Sequence, residues 1–186
     1  DLGIPQVVAP GGVDMTNYGP RREVAGKRSK VTGGLYEDEE KIYPGRTIHI
    51  HNPMVTVIGI LPEESREIAK DTINKLNRAK GPTALVIPMR GWSAFDTRQP
   101  SLQLGWAGPG SGPFWDGGTP EHPEWSKRAT VFVDVVKELV DKTKPNLDVM
   151  VCDKHINEPE FGSLLARVLE DMVESRWRKG MYRDIP

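Results

Sequence analysis

Short apolar runs alternate with helical patterns along this chain, and this alternation restricts its fold more than any other feature. Runs typical of strands occupy 5–10, 46–53, 54–61, 83–90 and 146–153. Amphipathic helical patterns cover roughly 62–80, roughly 126–143 and the residues that follow Asn157. The pattern predicts an α/β fold, a three-layer sandwich around a mainly parallel sheet of about five strands, Rossmann-like in outline. A TIM barrel needs more strand–helix units than 186 residues supply.

Charge and cysteine content restrict the partners of the chain. Its 25 basic and 26 acidic residues give a net charge of −1, which provides no long-range attraction for nucleic acid or an anionic membrane. We therefore expect no nucleic-acid partner, and no apolar run is long enough to predict a membrane span. Cys152 is the single cysteine, so an intrachain disulfide is excluded. This fits a reducing compartment, and we expect a cytoplasmic protein.

Two segments are predicted to be long loops. Residues 16–45 are polar, glycine-rich and charged, which is typical of an excursion outside the core. Residues 97–125 are rich in glycine and proline and carry Trp106, Trp115 and Trp125. These tryptophans fit a stacking surface for a base, packing within the loop, or an interface between proteins. Because this loop and the strand ends are apolar for a lone domain, we expect a homodimer.

Polar residues and glycines collect where the predicted strands end. Ligands of open parallel sheets bind beyond the carboxyl ends of the strands, so this clustering predicts a ligand site there. The residues concerned are Gly11, Gly12 and Asp14 after the first strand, His49, His51 and Asn52 after the second, Arg90, Gly91 and Ser93 after the fourth, and Asp153, His155 and Asn157 after the last.

Arg90 and the glycines each allow two interpretations. Arg90 is either an anion clamp, because a guanidinium grips phosphate or carboxylate with a planar fork, or one partner of an ordinary ion pair at the sheet rim. Gly11, Gly12 and Gly91 either form turns or let a ligand approach the backbone. Neither standard glycine-rich phosphate-loop signature is present in the sequence.

The candidates for acid–base chemistry are His51 and His155, with Asp153 or Asp14 as a neighbouring carboxylate. Their spacing matches no zinc signature, so we expect no tightly bound structural metal, whereas Mg²⁺ carried by a phosphorylated ligand needs only one or two carboxylates. Ser93 lacks a nucleophile-elbow motif. Asn157 is predicted to cap the last helix, which places a helix N-terminus that favours anions beside the crevice.

Five ordered motifs give the chain a family resemblance. They are IPQVVAPGGVDMTNYGP (4–20), HNPMVTV (51–57), GPTALVIPMRGWSAFD (81–96), GPFWD (112–116) and DKHINEPEF (153–161). In these motifs the chain resembles the second, C-terminal domain of the tomato mosaic virus resistance protein family, the Tm-one-like ATP-binding family of plants, fungi and bacteria. The resemblance covers nearly the whole chain.

The resemblance implies nucleotide binding, a tendency to dimerise and a further α/β domain preceding the IPQVV segment. It also adds Asp116, in GPFWD, and Asp96 to the candidate site residues. We therefore expect one α/β domain of a longer two-domain protein that binds ATP or another phosphorylated or carboxylated ligand, with Mg²⁺, at the strand ends. A hydrolase or isomerase of a small organic acid and a regulatory interaction module remain alternatives.

Overall fold

The structure is a computed structural model that describes residues 2–19, 46–99 and 110–183. The strands in these ranges are β1 (Gln6–Val8), β2 (Met15–Tyr18), β3 (Ile48–Asn52), β4 (Val55–Gly59), β5 (Thr83–Pro88), β6 (Gly117–Thr119), β7 (His122–Ser126) and β8 (Leu147–Cys152). The helices are α1 (Pro62–Leu76), α2 (Lys127–Leu139) and α3 (Pro159–Val173). Most of the predicted first loop, and Trp106 in the second, lie outside the described residues.

The central sheet is parallel, with the strand order β1-β5-β8. All six residues of β5 are buried, which matches the apolar run that follows Thr83 and the position of β5 between two neighbours. The predicted α/β, Rossmann-like class is confirmed. The parallel sheet, however, contains three strands in the described residues, where about five were expected from the alternating pattern.

Helices cover both faces of this sheet and create two apolar cores. On one face, α1 and α2 pack against Leu85, Ile87 and Leu147. On the other face, α3 packs against Ala84, Val86, Met150 and Cys152. The alternation of side chains along β5 and β8 therefore supplies both cores, and the predicted three layers are present.

The predicted strands 46–53 and 54–61 do not belong to the parallel sheet. They form β3 and β4, which pair antiparallel with each other, and β2 pairs antiparallel with the other side of β4. The side-chain Oδ1 of Asn52 accepts a hydrogen bond of 2.8 Å from the Met54 amide in the turn that joins β3 and β4. Such a short connection permits only antiparallel pairing, because a parallel crossover needs a dozen or more residues.

The helices begin and end close to their predicted limits. Pro62 occupies the first turn of α1, and the Glu64 carboxylate accepts a hydrogen bond of 2.9 Å from the Leu61 amide. The helix ends at Leu76, before the predicted limit at 80, and Asn77 then bonds the Leu139 carbonyl and the Asp141 amide beyond α2. The N-cap of α3 is Glu158, and not Asn157 as predicted.

The predicted loop 97–125 contains a hairpin. β6 and β7 pair antiparallel, and Ser126 both ends β7 and occupies the N-cap of α2. The Ser126 amide donates a hydrogen bond of 2.7 Å to the Met89 carbonyl, so the hairpin is attached to the residue that follows β5. Nothing helical in the described ranges has the length and apolar character needed to span a membrane.

Candidate functional site

Three loops meet at the carboxyl end of the parallel sheet. The segment that follows β5 lies in the middle and is buried from Gly91 to Thr97. The Gly12 amide, from the loop after β1, donates 3.0 Å to the Trp92 carbonyl. The Ile156 amide, from the loop after β8, donates 3.1 Å to the Gly91 carbonyl. Three of the four strand ends predicted to share a surface therefore do so, with Gly91 and Trp92 at its centre, whereas the end of β3 belongs to the antiparallel sheet.

Arg90 forms a two-pronged ion pair with Asp153 on this surface. Its Nε lies 2.9 Å from Asp153 Oδ1 and its Nη2 lies 2.6 Å from Oδ2. The Trp125 indole N–H donates to the same Oδ1 at 2.8 Å. The hydrogen bond from Arg90 lowers the pKa of Asp153, and the same bond raises the pKa of Arg90. The arrangement matches the rim ion pair foreseen as one interpretation of Arg90, and it orients the guanidinium.

The glycines of the site differ in their surroundings. Gly91 has a φ of +122°, and a Cβ there would lie 1.6 Å from the Asp96 carbonyl oxygen. The close approach of the backbone to Asp96 therefore requires glycine at this position. Gly12 has a φ of +66°, is exposed, and would place a Cβ in open space. Gly11 is also exposed, but its amide donates a hydrogen bond of 2.9 Å to the Ala9 carbonyl, and a Cβ there would lie 3.0 Å from Ile156 Cδ1. The Gly11–Gly12 turn is therefore exposed beside the loop that carries Arg90, with both of its amides bonded within the protein.

Asp14 and Ser93 are bonded to each other inside the protein. The Ser93 hydroxyl donates a hydrogen bond of 2.6 Å to Asp14 Oδ2, and Asp14 is fully buried. Burial raises the pKa of Asp14 above its ordinary value, although the bond from Ser93 partly opposes this shift. The contact joins the loop after β1 to the loop after β5. The ligand-binding roles expected of both residues stay predictions, and the observed contact is structural.

A second buried acid, Asp96, lies near the first. The Ser126 hydroxyl donates 2.7 Å to Asp96 Oδ2, and Arg128 Nη1 lies 3.8 Å from Oδ1. Burial, followed by the repulsion of Asp14, raises the pKa of Asp96 to about 7. Within the described residues, neither Asp14 Oδ1 nor Asp96 Oδ1 has a hydrogen-bond donor. Two buried carboxyl groups thus face one guanidinium, a balance that favours retention of a proton.

Arg128 is a structural residue that the sequence interpretation missed. It is almost completely buried, its Nε donates 3.0 Å to the Ile60 carbonyl, and its Nη1 bonds the Phe114 carbonyl. It therefore joins α2, the end of β4 and the GPFWD segment. Arg128 lies in the first turn of α2, where a cation is unfavourable because the helix N-terminus is the positive end of the helix dipole. This unfavourable placement is the only sign in the sequence that Arg128 has a structural role.

His155 is completely buried and uses both ring nitrogens. Its Nε2 lies 3.0 Å from the Ser93 carbonyl and 3.3 Å from the Asp96 carbonyl, while its Nδ1 accepts a hydrogen bond of 3.0 Å from the Asn157 amide. These partners require the neutral tautomer with hydrogen on Nε2. Burial lowers the pKa of the ring. The ring fastens the loop after β8 to the loop after β5; its catalytic role stays a prediction.

The other predicted histidine lies on the antiparallel sheet. The rings of His49 and His51 lie 5.2 and 6.0 Å from the ring of Phe95, measured between centroids. Since β3 is not a strand of the parallel sheet, His51 contacts the loop after β5 only at Phe95 among the ring contacts of the described residues. Burial lowers the pKa of His49, and the nearby His51 adds to this effect. Asn52 occupies the exposed β3–β4 turn.

Asp116 is the last of the predicted site residues, and with Asp153 it decides whether the exposed acids of the site could hold a metal ion. Asp116 is exposed, its carboxylate lies 3.4 Å from the Lys127 ammonium, and its carbonyl accepts from the Lys127 amide. Asp153, the other exposed carboxylate of the predicted site, is held by Arg90. Across residues 2–19, 46–99 and 110–183, no group of three or more His, Cys, Asp or Glu side chains is arranged to hold a metal ion.

Comparison with known proteins gives the chain a family. Residues 1–104 match the family described as "Uncharacterised protein family (UPF0261) C-terminal domain". The chain belongs to the UPF0261 family. A UPF0261 protein of Clostridium tetani is 33% identical over 174 residues, which cover 94% of this chain and 34% of the relative. The UPF0261 protein BMEII0128 of Brucella melitensis is 28% identical over 171 residues, 92% of this chain and 32% of the relative.

The resemblance to the tomato proteins holds at a greater distance. The ToMV resistance protein Tm-1(GCR237) of Solanum lycopersicum is 26% identical over 162 residues, which cover 87% of this chain and 17% of that protein. The family shown is therefore UPF0261, with the tomato proteins as distant relatives. This UPF0261 chain spans about a third of the length of the bacterial relatives. Binding of ATP or Mg²⁺, homodimerisation and the cytoplasmic location stay predictions.

Proposed function

We propose that this UPF0261 domain binds a small anionic ligand, by its phosphate or carboxylate, at the carboxyl ends of β1, β5 and β8, and that the preferred ligand is a nucleotide. The observation that carries the proposal is the partly exposed guanidinium of Arg90, which lies on the loop that Gly12 of the exposed Gly11–Gly12 turn also bonds. A guanidinium fork recognises phosphate in proteins, and an exposed glycine turn lets a ligand approach the backbone closely.

The ion pair holds Arg90 in a geometry suited to exchange of its anionic partner. Arg90 and Asp153 retain 30% and 50% of their side-chain exposure, so a ligand anion can reach the pair from solvent. Glu124 and Glu158 also lie close enough to stabilise the Arg90 charge. An incoming phosphate therefore meets an acidic surrounding, which disfavours a bare anion. A phosphate that brings Mg²⁺ reduces this repulsion, and a displaced Asp153 carboxylate is the kind of oxygen ligand that Mg²⁺ accepts.

An aromatic platform beside the ion pair favours a nucleotide over a simple anion. The rings of His122 and Trp125 are stacked, with centroids 3.7 Å apart and planes 9° apart, and Trp125 also donates to Asp153. His122 is exposed. Its outer face offers a surface on which a base can stack, next to the group proposed to bind the phosphate.

We propose binding without turnover. A hydrolase or isomerase needs an acid or base that reaches its substrate, and His155 has both nitrogens engaged in the interior. His51 lies on β3 of the antiparallel sheet, which is not part of the strand-end surface, with its ring 6.0 Å from that of Phe95. The enzymatic alternative therefore has less support in the described geometry than ligand binding.

The test is a calorimetric titration of the domain with ATP and ADP, each with and without Mg²⁺, and with inorganic phosphate and citrate. Arg90→Ala should weaken binding by roughly 2–5 kcal/mol, the usual effect of removing one partner of a close charge pair. Arg90→Lys should restore only part of it, since an ammonium lacks the planar fork. Arg46→Ala is the matched control, because Arg46 forms a two-pronged ion pair with Glu64, at 2.7 and 2.9 Å, away from the strand-end surface.

Two results would overturn the proposal. One is a wild-type domain that binds none of these compounds. The other is a ligand that Arg90→Ala binds as tightly as the wild type does, which would leave Arg90 as an ordinary partner of Asp153 at the sheet rim. Steady consumption of a bound compound would support the enzymatic alternative instead.

A further inference from the structure

The outer edge of β8 carries unpaired backbone. Among the described strands, β8 has β5 on one side and no neighbour on the other. The Thr83 amide donates to the Asn146 carbonyl, and the Met89 amide donates to the Cys152 carbonyl. Since backbone groups alternate in direction along a strand, the even-numbered residues of β8 face β5 and the odd-numbered ones face outward. Leu147, Val149 and Val151 therefore present their backbone to the edge.

The sequence of β8 itself lacks the features that normally prevent a second strand from pairing. Exposed edges are commonly protected by lysine, proline, a bulge or a short length. The sequence of β8 is LDVMVC, and its pairing with β5 continues without a register shift over all six residues. Its three outward positions are apolar; Leu147 is completely buried, so the accessible part of the edge lies at Val149 and Val151. Val151 is 37% exposed. One outward amide, that of Val149, is already satisfied by Asp148 Oδ1 at 3.1 Å.

A groove runs beside the edge. It has a volume of about 370 Å³ and is lined by Val140, Val149 and Val151, with basic residues around them. These basic residues are Lys137, Lys142, Lys179 and Arg183. The Lys179 ammonium already donates to the Lys142 and Lys144 carbonyls. The one acid of the lining, Asp148, is buried and lies 3.9 Å from Arg183 Nη2, so Lys137 and Lys142 carry most of the unbalanced charge. An occupant thus meets an apolar floor and a positive rim.

We propose that this edge is the docking site of an extended, acidic segment from the part of the full-length protein that lies outside this chain, added as a further strand next to β8. The positive rim argues against a second copy of the chain, because a symmetrical edge-to-edge pair would bring like charges together. The relatives of the chain are about three times its length, so the full-length protein has ample sequence to supply the segment. Strand addition with alternating side-chain contacts is an established mode of recognition.

The first test is hydrogen exchange at the Val151 amide, measured in this domain alone and in the full-length protein. Docking should slow exchange in the full-length protein by about tenfold or more, because the amide becomes part of a sheet ladder. Equal rates in the two proteins would overturn the proposal. Protection in the domain alone that increases with its concentration would also overturn it, since the occupant would then be a second copy.

The second test is the double substitution Lys137→Glu with Lys142→Glu in the full-length protein. Both side chains are exposed, so the same change in the isolated domain should leave its thermal melt near that of the wild type. In the full-length protein it should return the exchange at Val151 to the rate of the isolated domain. Lys70→Glu, on an exposed face of α1, is the control and should leave protection intact. Protection that survives the double substitution would overturn the proposal, because the docked segment would then not be acidic.

Discussion

Gly91 and Asp96 approach each other so closely that a Cβ on residue 91 would lie 1.6 Å from the Asp96 carbonyl oxygen. The same Cβ would lie 3.0 Å from the His155 ring, and the φ of +122° is one that other residues rarely adopt. The loop after β5 can therefore fold back on itself only with glycine at this position.

We predict that Gly91→Ala destabilises the domain severely, by more than about 4 kcal/mol, because backbone must move to relieve the clash. Gly12→Ala is the matched control: its φ is also positive, but its Cβ would meet nothing within 4 Å, so the cost should be about 1–2 kcal/mol. Urea unfolding measures both. Similar losses in the two variants would show that strain in φ, and not the contact with Asp96, decides the outcome.

A second prediction concerns the stability of the domain as pH changes. The pKa of Asp96 is about 7 in the folded protein and 3.8 by its ordinary value, and the pKa of Asp14 is also raised. The folded state therefore holds a proton that the unfolded state releases. The stabilisation that this proton contributes is complete below about pH 4 and is lost as pH rises to about 7. Over this range the free energy of unfolding falls by up to roughly 1.4 kcal/mol per pH unit.

Asp96→Asn should reduce this slope, because an amide keeps the acceptor for Ser126 and carries no titrating proton. Denaturant unfolding at pH 5, 6, 7 and 8 measures the effect. Asp134→Asn, which changes an exposed carboxylate on α2, should leave the wild-type slope in place. An unchanged pH dependence in the Asp96→Asn protein would contradict the assignment of the proton to this buried pair.

His155 gives a prediction of opposite sign. Its pKa is lowered from 6.5, so the unfolded state gains a proton first as the medium is acidified. The stabilisation that the neutral His155 ring contributes is present above about pH 6.5 and is lost as pH falls through the pKa of His155 in the folded protein. NMR of the imidazole nitrogens should show one ring hydrogen, on Nε2, at pH 7 and predominantly so at pH 6.5, where a ring with the ordinary pKa is half protonated. A ring that titrates near 6.5 would contradict the buried, neutral assignment.

Gly162 offers a stabilising change. It lies in α3, is exposed, and would place a Cβ within 4 Å of no neighbouring atom. Gly162→Ala should raise the free energy of unfolding by about 0.5–1 kcal/mol, since glycine in a helix has the greater chain entropy to lose. Gly112→Ala should do the reverse, because its Cβ would lie 2.1 Å from the Phe95 carbonyl oxygen. Thermal melts of the two variants should therefore move in opposite directions.

The sequence predicted the elements whose pattern is local and misplaced those whose partners are distant. The apolar run of β5 and the stripes of the three helices were sufficient for the fold class. The antiparallel pairing of β3 with β4 was missed although its signal was present, since a connection as short as Pro53–Met54 excludes a parallel crossover. The β6–β7 hairpin was hidden because Gly117, Gly118 and Pro123 are residues that strands disfavour.

For the candidate site, too, the sequence predicted what depends on local pattern and not what depends on distant partners. The strand-end rule brought Gly12, Arg90, Asp153 and His155 into one region, as the structure shows. It could not say which side chains point inward, because that depends on loop conformation and on contacts between remote residues. The bond from Ser93 to Asp14 joins positions 79 residues apart, and that from Ser126 to Asp96 joins positions 30 apart. No local pattern specifies such pairs.

The enclosure of Arg128 with Asp14 and Asp96 also restricts how chains of this kind can diverge. Loss of Arg128 alone would strand two carboxyl groups in the interior and would leave the Ile60 and Phe114 carbonyls without their donor. Loss of Asp14 or Asp96 alone would change the negative charge that balances the Arg128 guanidinium. We therefore expect the three positions to change together during evolution, through intermediates that first replace an acid by its amide, and to do so more slowly than an exposed ion pair such as Lys70–Glu67.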